Sequence, residues 1–329
     1  MSRRALQKVV LGFRRQTILA VADLVADEFV FGEIARVSRE APVLILKRRE
    51  SRYVPGGGAN AIYNLRALGA NVLPVGIVGD DAAGRALIAA FEAAGISTEG
   101  ILTDAQFSTT TKTRILAGTI HGSRQQVLRI DSEPQHSPSV ESRRWIEKTA
   151  ERLAKQASGV LVSDYGYGAA TPALASRLRS RAKGAPVTVD SRYDIARYRG
   201  LSAATPNEAE VEAVFSKRIG TNLATLERCG RALLRRMKLQ ALLVTRGRDG
   251  MALFEPGAAT RHIPIHGGSE NTDVTGAGDT VIAAFTLSLA AGADFSSAAR
   301  LANYAGGIVV MKPGTATASS DELLDAMSQ

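Results

Sequence analysis

Apolar and polar positions along the 329-residue chain fall into two regimes. Residues Arg3 to Gln16 mix basic and apolar side chains at helical spacing and predict a short basic amphipathic helix. Thr17–Ala22 (TILAVA) is an apolar run ending at Asp23, as a buried strand reads. Val43 to Val54, containing LILKRRESRYV, alternates apolar and charged positions, the pattern of a sheet with one solvated face. Thr109 to Ile115 and Gln125 to Ile130 repeat that pattern, with His121-Gly122 as the turn between them. Beyond about residue 140, helical stretches alternate with the short runs Gly159–Ser163, Pro186–Asp190 and Ala241–Thr245, the βαβ signature of a parallel sheet covered by helices. The pattern predicts a basic N-terminal helix or tail over 1–16 and one α/β domain over 17–329. A small β lid comes from two separate segments, about 28–54 and 108–131.

Ligands of open α/β sheets bind at the carboxyl ends of the strands. Asp23 and Asp27 follow the first strand, Asp164 follows GVLVS, Asp190 follows VTV, and Asn207 follows AATP. Each could equally cap a helix or start a turn; together they outline one crevice.

Composition narrows the classes. Hydrophobic residues at 45% exclude intrinsic disorder, and 5% aromatics give no sign of a stacking RNA binder. One cysteine, Cys229, excludes an intrachain disulfide framework or a cysteine zinc site and suggests a reducing cytoplasm. The near-apolar run Val281 to Ala293 is shorter than the ~18 residues of a membrane span, and the basic N-terminus lacks the apolar core of a secretory signal. The net charge of +9 is diffuse, without a helix-turn-helix or zinc-finger pattern. It suits an ordinary basic surface or an anionic small substrate better than nucleic acid or membrane.

The strongest chemical signal is DVTGAGDT, Asp273 to Thr280, running into VIAAFTLSLAA. Gly276, Ala277 and Gly278 let their backbone N–H groups approach an anion at a helix N-terminus, where the dipole adds positive charge. Such a nest suits phosphoryl transfer, and Asp279 in the first turn could accept the proton of an attacking hydroxyl. The alternative is a tight glycine turn with Asp279 only offsetting the dipole. A second signal is Pro55-Gly56-Gly57-Gly58-Ala59-Asn60. It loosely meets a dinucleotide fingerprint, but its charged preceding stretch and Pro55 favour close approach to a polyhydroxylated ligand, with Asn60 hydrogen-bonding; a plain turn is the alternative. Neither G-x-x-x-x-G-K-[ST] nor G-x-S-x-G occurs, and His121, His136, His262 and His266 show no H-E-x-x-H spacing.

DVTGAGDT, PGGGAN and the Asn207-x-x-Glu210 spacing in TPNEAE together resemble the ribokinase-like PfkB carbohydrate kinases, in order and spacing from about Thr17 to the end. Within that family ARVSREAPV, TKTRIL, LRIDSE, LVSDYG, RYRG, LLVTRGRDGM and ANYAGGIVV are similar to the D-glycero-β-D-manno-heptose 7-phosphate kinases. The resemblance implies a doubly wound, mostly parallel sheet flanked by helices, with a small β-sheet lid, and ATP-dependent phosphorylation of the anomeric hydroxyl of that sugar phosphate. Asp279 would be the base and the Gly276, Ala277 and Gly278 amides the anion hole. Asp27, Gly57, Gly58 and Asn60 would hold sugar hydroxyls, with Asp190 also on the substrate side. Asn207 and Glu210 would organise Mg²⁺ through water, with Asn207 also on the nucleotide side beside Thr245, Gly247 and Asn303. Asp273 and Thr275 match positions where relatives bind a monovalent cation such as K⁺. Lids of relatives often pair into homodimers. On the lid, Lys112, Arg114, Arg129 and Asp131 could meet a sugar phosphate or form a solvated strand face.

The chain departs from the heptose-kinase pattern at Tyr167, where a Lys is usual, at Ser191-Arg192 for Pro-Lys, at Arg39 for Pro, and at Ala22 before Asp23. These departures keep two alternatives open: a different sugar or nucleoside acceptor, and a non-catalytic sugar or nucleotide sensor.

Overall fold

The computed structural model describes residues 2–118, 125–267 and 273–328. The His121-Gly122 turn lies outside the described residues. Thirteen strands and ten α-helices are present among them. The main sheet comprises β1 (Thr17–Ala22), β4 (Asn71–Gly79), β5 (Ile101–Asp104), β8 (Gly159–Asp164), β9 (Val187–Ser191), β10 (Ala203–Ala204), β11 (Ala241–Thr245), β12 (Met251–Phe254) and β13 (Arg261–Ile263). Its order is β13-β12-β11-β10-β9-β8-β1-β4-β5. All neighbours are parallel except β11/β12 and β12/β13.

The TILAVA run forms β1 at the centre of this sheet, and both faces are buried. Ile18, Ala20 and Ala22 enter one core, and Leu19 and Val21 the other. The first core holds α1 (Arg3–Gly12), α2 (Gly57–Ala67), α3 (Ala82–Ala93), α8 (Ala277–Ala290), α9 (Phe295–Val310) and α10 (Ser320–Ala326); the second holds α4 (Val140–Ala154), α5 (Pro172–Arg181), α6 (Glu208–Phe215) and α7 (Leu223–Met237). The basic N-terminal helix is α1. Its Leu6, Val9 and Val10, with Phe13 just beyond, enter the first core and leave the arginines outside. The long apolar run forms α8, buried continuously from Asp279 to Ser288. No helix among the described residues is long and apolar enough to cross a membrane. Cys229 is buried on α7.

The alternating segments form a second sheet of β2 (Leu24–Val37), β3 (Leu44–Gly56), β6 (Thr110–Gly118) and β7 (Gln125–Ser132), in the order β3-β2-β6-β7. The β2/β6 pair is parallel and the outer pairs are antiparallel. Only Asp23 separates β1 from β2, so the lid is rooted at the carboxyl end of the central strand. On β1 the chain leaves toward β4 on one side and β8 on the other, the switch point where such sheets open a crevice.

Candidate active site

Two glycine-opened helices meet at this crevice. Gly276 precedes α8 with φ 75°, and a Cβ there would lie 2.5 Å from the Asn60 amide nitrogen. Asn60, in the first turn of α2, donates to Gly276 O at 3.3 Å and to Asp279 Oδ2 at 3.2 Å. Its own carbonyl oxygen Oδ1 accepts from Asn64, whose Oδ1 takes the Thr280 hydroxyl at 3.0 Å. The Asn60 amide, read from sequence as a sugar ligand, is thus engaged within the protein. Asp279 is 3% exposed. Burial pushes its carboxyl up to about 8; the Tyr165 phenol opposes this, Asp190 adds to it, and Asn60 and Asp27 act more weakly, down and up respectively. The Ala277 N–H bonds Val274 O within the turn. Gly278 and Asp279 follow in the first turn of α8, where N–H groups lack intrahelical acceptors. A Cβ at Gly278 would meet nothing within 4 Å, which leaves open space above the helix end.

Gly57 and Gly58 serve packing as well. A Cβ at Gly58 would strike the Asp23 carbonyl at 2.6 Å, so glycine lets α2 start directly against the end of β1. Gly57 sits against Val25 and the Tyr165 ring.

Asp27, on β2 at the base of the lid, is buried. Its Oδ1 accepts from Arg114 at 2.6 Å and its Oδ2 from the Thr315 hydroxyl at 2.9 Å. Arg114 also stands over the Phe29 ring at 5.5 Å. Next to it on the lid, Asp131 accepts from Arg129 at 2.6 Å and from Lys112 at 3.3 Å. The Arg129 guanidinium holds the Asp131 carboxyl down at about 2. Lys112, Arg114, Arg129 and Asp131 therefore form one ion-paired array on neighbouring strands beside Asp27.

On the other side of the crevice, Asn207 caps α6 in a reciprocal box with Glu210, at 2.9 Å for each backbone bond. Burial first, then the Asp190 charge, raises Glu210 to about 8; burial first, then Asp164, raises Asp190 to about 7. Thr245 at the end of β11 bridges to Asn207, and Gly247 in the next turn is exposed. Asn303 on α9 donates to Pro264 O at 2.9 Å. Asp273 is bound by the Thr275 and Gly314 amides at 3.0 and 2.7 Å.

No role for Tyr165, Asn64, Thr280 or Thr315 was legible in the sequence, although Thr280 closes DVTGAGDT and Tyr165 lies in LVSDYG. Asp23 was legible only as a strand-end carboxylate; it proves to be a hub, 1% exposed, accepting backbone N–H groups from Tyr165, Tyr167, Ala169 and Ala170. Of the departures, Tyr167 donates to Glu133 at 2.9 Å and Ser191 to Asp164 at 2.8 Å. Arg192 stands over the Tyr193 ring at 5.7 Å. Tyr165, Tyr167, Tyr193 and the Glu133–Ser137 segment wall a cleft of about 390 Å³, and the Tyr165 hydroxyl bonds Asp279.

Comparison with known proteins agrees with this geometry. The family model described as "pfkB family carbohydrate kinase" matches residues 25–322. The chain is 40% identical over 310 residues to the bifunctional protein HldE of Desulfatibacillum aliphaticivorans, covering 93% of this chain and 62% of that protein. It is 38% identical over 333 residues to HldE of Pelobacter propionicus, covering 100% of this chain and 66% of that protein. The chain thus spans less than two thirds of the length of these relatives. Its fold is that of Arabidopsis thaliana ribokinase complexed with ribose and ATP (TM-score 0.74, 19% identity, 95% of this chain and 99% of that one). Escherichia coli phosphofructokinase-2 in complex with substrates and products is also similar (TM-score 0.73, 16% identity, 95% and 98%).

Proposed function

Because the chain belongs to the pfkB family of carbohydrate kinases, we propose that it transfers the γ-phosphoryl group of ATP to the anomeric hydroxyl of D-glycero-β-D-manno-heptose 7-phosphate. The observation that carries the transfer is Asp279, a buried carboxylate in the first turn of a glycine-opened helix at the sheet's switch point. The 40% and 38% identity to the HldE relatives and the stretches similar to heptose 7-phosphate kinases support the heptose as acceptor.

In this reading the acceptor lies between the lid base and α2, with Asp27 and the Arg114, Lys112, Arg129 and Asp131 array on its lid side. Its hydroxyl donates its proton to Asp279 as the oxygen attacks the γ-phosphorus. The new P–O bond forms in line with the breaking bond to the β-γ bridging oxygen, which leaves with ADP. N–H groups at the start of α8 face the charge that develops on the transferred group. The nucleotide runs toward Asn207, Thr245, Gly247 and Asn303.

Asn207 and Glu210 fit a magnesium ion held through water. The Asp190 charge raises Glu210 and the Asp164 charge raises Asp190, so three acids of this region crowd together, a charge that a divalent cation would relieve. Mg²⁺ bound there supplies charge neutralisation for the phosphates. The Asp273–Thr275 turn is proposed for a monovalent cation. The lid carries exposed Ile34, Val37, Leu44, Val127, Leu128 and Ile130, an apolar surface suited to pairing with a second copy. The cytoplasm, which supplies ATP, is the proposed location.

The test is ADP release from ATP with Mg²⁺ over a panel of sugars, nucleosides and sugar phosphates. Heptose 7-phosphate should give the highest kcat/KM. A better alternative acceptor transfers the assignment to that sugar, with Tyr167, Ser191 and Arg192 the first residues to explain it. ATP binding without turnover on any acceptor leaves the sensor reading instead.

A further inference from the structure

One buried hydrogen-bond chain behind the proposed base is left unassigned by the family motifs. It starts at Asp23, between β1 and β2. Its Oδ2 takes the Tyr165 and Tyr167 N–H groups at 2.9 Å each, and its Oδ1 takes the Ala169 N–H at 2.8 Å. The next carboxylate, Asp164, accepts the Gly166 N–H at 2.9 Å and is itself held by the Ser191 and Tyr198 hydroxyls, each at 2.8 Å. Two buried carboxylates thus use their acceptor capacity to shape the loop after β8. The product of that shaping is the placement of one phenol. Tyr165 donates from its hydroxyl to Asp279 Oδ1 at 2.8 Å. Its ring lies against Gly57, where a Cβ would come within 3.3 Å of Cε2, and it lines the cleft formed with Tyr167, Tyr193 and Glu133–Ser137.

We infer that Tyr165 is a positioning residue for the transfer proposed above: its phenol orients the Asp279 carboxylate and supports its negative charge, and Asp23 acts through it by holding the loop. The inference rests on that kinase reading. Asn60 fixes the other carboxylate oxygen from α2, so the base is clamped from two segments outside α8, the start of α2 and the loop after β8. A carboxylate held by two neutral donors keeps lone pairs for the acceptor hydroxyl while losing rotational freedom.

The groups facing this pair are few. Asp279 faces Asp190 from β9 and Asp27 from β2, both acidic, with Asn60 the neutral donor from α2. Arg114 is ion-paired with Asp27. Tyr165 faces Asp279, Asp190 and the Arg192 side chain. With acids on two sides of Asp279, each donor that favours its charged form counts, and Tyr165 supplies the shorter of the two bonds.

The experiment replaces the donor and keeps the ring. Tyr165→Phe should move the acidic limb of the kcat/KM–pH profile upward by on the order of one pH unit, the effect of losing one hydrogen bond to a charged group. KM for ATP should stay unchanged. The titration midpoint of Asp279, followed by carboxyl ¹³C NMR and assigned with Asp279→Asn, should move upward by the same amount. Incorporation of 3-fluorotyrosine at position 165, a stronger donor of nearly the same shape, should move the midpoint downward. A midpoint that stays in place in both variants overturns the inference, whatever happens to turnover. If the unaltered chain phosphorylates no acceptor, the kinase reading fails, and the NMR midpoints still decide whether Tyr165 governs Asp279.

Discussion

Asn60 Nδ2 lies 3.2 Å from Asp279 Oδ2 across 219 positions of sequence. The bond joins the start of α2 to the start of α8 and makes one unit of the two glycine-rich motifs. Asn64, one turn further along α2, and Thr280, the residue after Asp279, close the same unit. The proposed base is therefore held by a helix pair on one oxygen and by the Tyr165 loop on the other.

Asp279→Asn keeps the side-chain volume and removes the proton acceptor. Turnover should fall by about 10²- to 10⁴-fold, the range for loss of a general base, with an unchanged circular dichroism spectrum. Turnover equal to that of the unaltered chain would exclude the base role.

Two glycines of the same turn should differ in their effect on stability. Gly276→Ala places a methyl group 2.5 Å from the Asn60 amide at a residue with φ 75°, so it should lower both Tm and kcat. Gly278→Ala meets nothing within 4 Å and should leave Tm unchanged. If the phosphates sit there, it should raise KM for ATP and lower kcat. Steady-state kinetics beside thermal unfolding separates the two.

Stability should fall as pH rises. Burial, opposed or reinforced by neighbours, raises Asp23 to about 6, Asp190 to about 7 and Asp279 to about 8, above the ~3.9 of an unfolded aspartate. A carboxyl raised in the folded state contributes stability that is complete below its unfolded pKa and is lost as pH climbs through the folded value. The metal-free chain should therefore show a Tm declining from about pH 4 to about pH 8. Asp279→Asn should flatten the upper part of that decline and melt above the unaltered chain at pH 8. A Tm that rises steadily across this window would contradict the assignment.

Arg114→Ala strands the Asp27 carboxylate, which is 5% exposed, without its cation. Removing one member of a buried pair costs about 3–5 kcal/mol, so urea unfolding should shift by that order. KM for the sugar should rise more than KM for ATP. Lost acceptor affinity without loss of stability would mean that water replaces the guanidinium at the lid base.

Leu128→Glu with Ile130→Glu places two charges on the exposed apolar surface of β7. If the lid pairs two copies, sedimentation should show a dimer for the unaltered chain and a monomer for the variant, with α/β ellipticity retained. Identical sedimentation of both would exclude pairing through this face.

Much of this protein is local in origin and was legible in its residues. The uninterrupted apolar run at β1 marks a strand covered on both faces, whereas the one-solvated-face reading of the lid segments holds only in part, since β3 is exposed along its middle and β7 along its whole length. Asp279 is legible because a helix N-terminus opened by glycines concentrates backbone N–H groups within a few consecutive residues, a property of the chain before it folds. Tertiary structure decided the rest. Asn60 turned inward to Gly276 and Asp279, and Gly58 serves the contact of α2 with β1. Asp23 became the anchor of a loop more than 140 positions away, and Tyr165 reached the base across 114. An asparagine or tyrosine can satisfy its hydrogen bonds in many ways at similar free energy, so its partner is chosen by which strands and helices the packed core brings within about 3 Å.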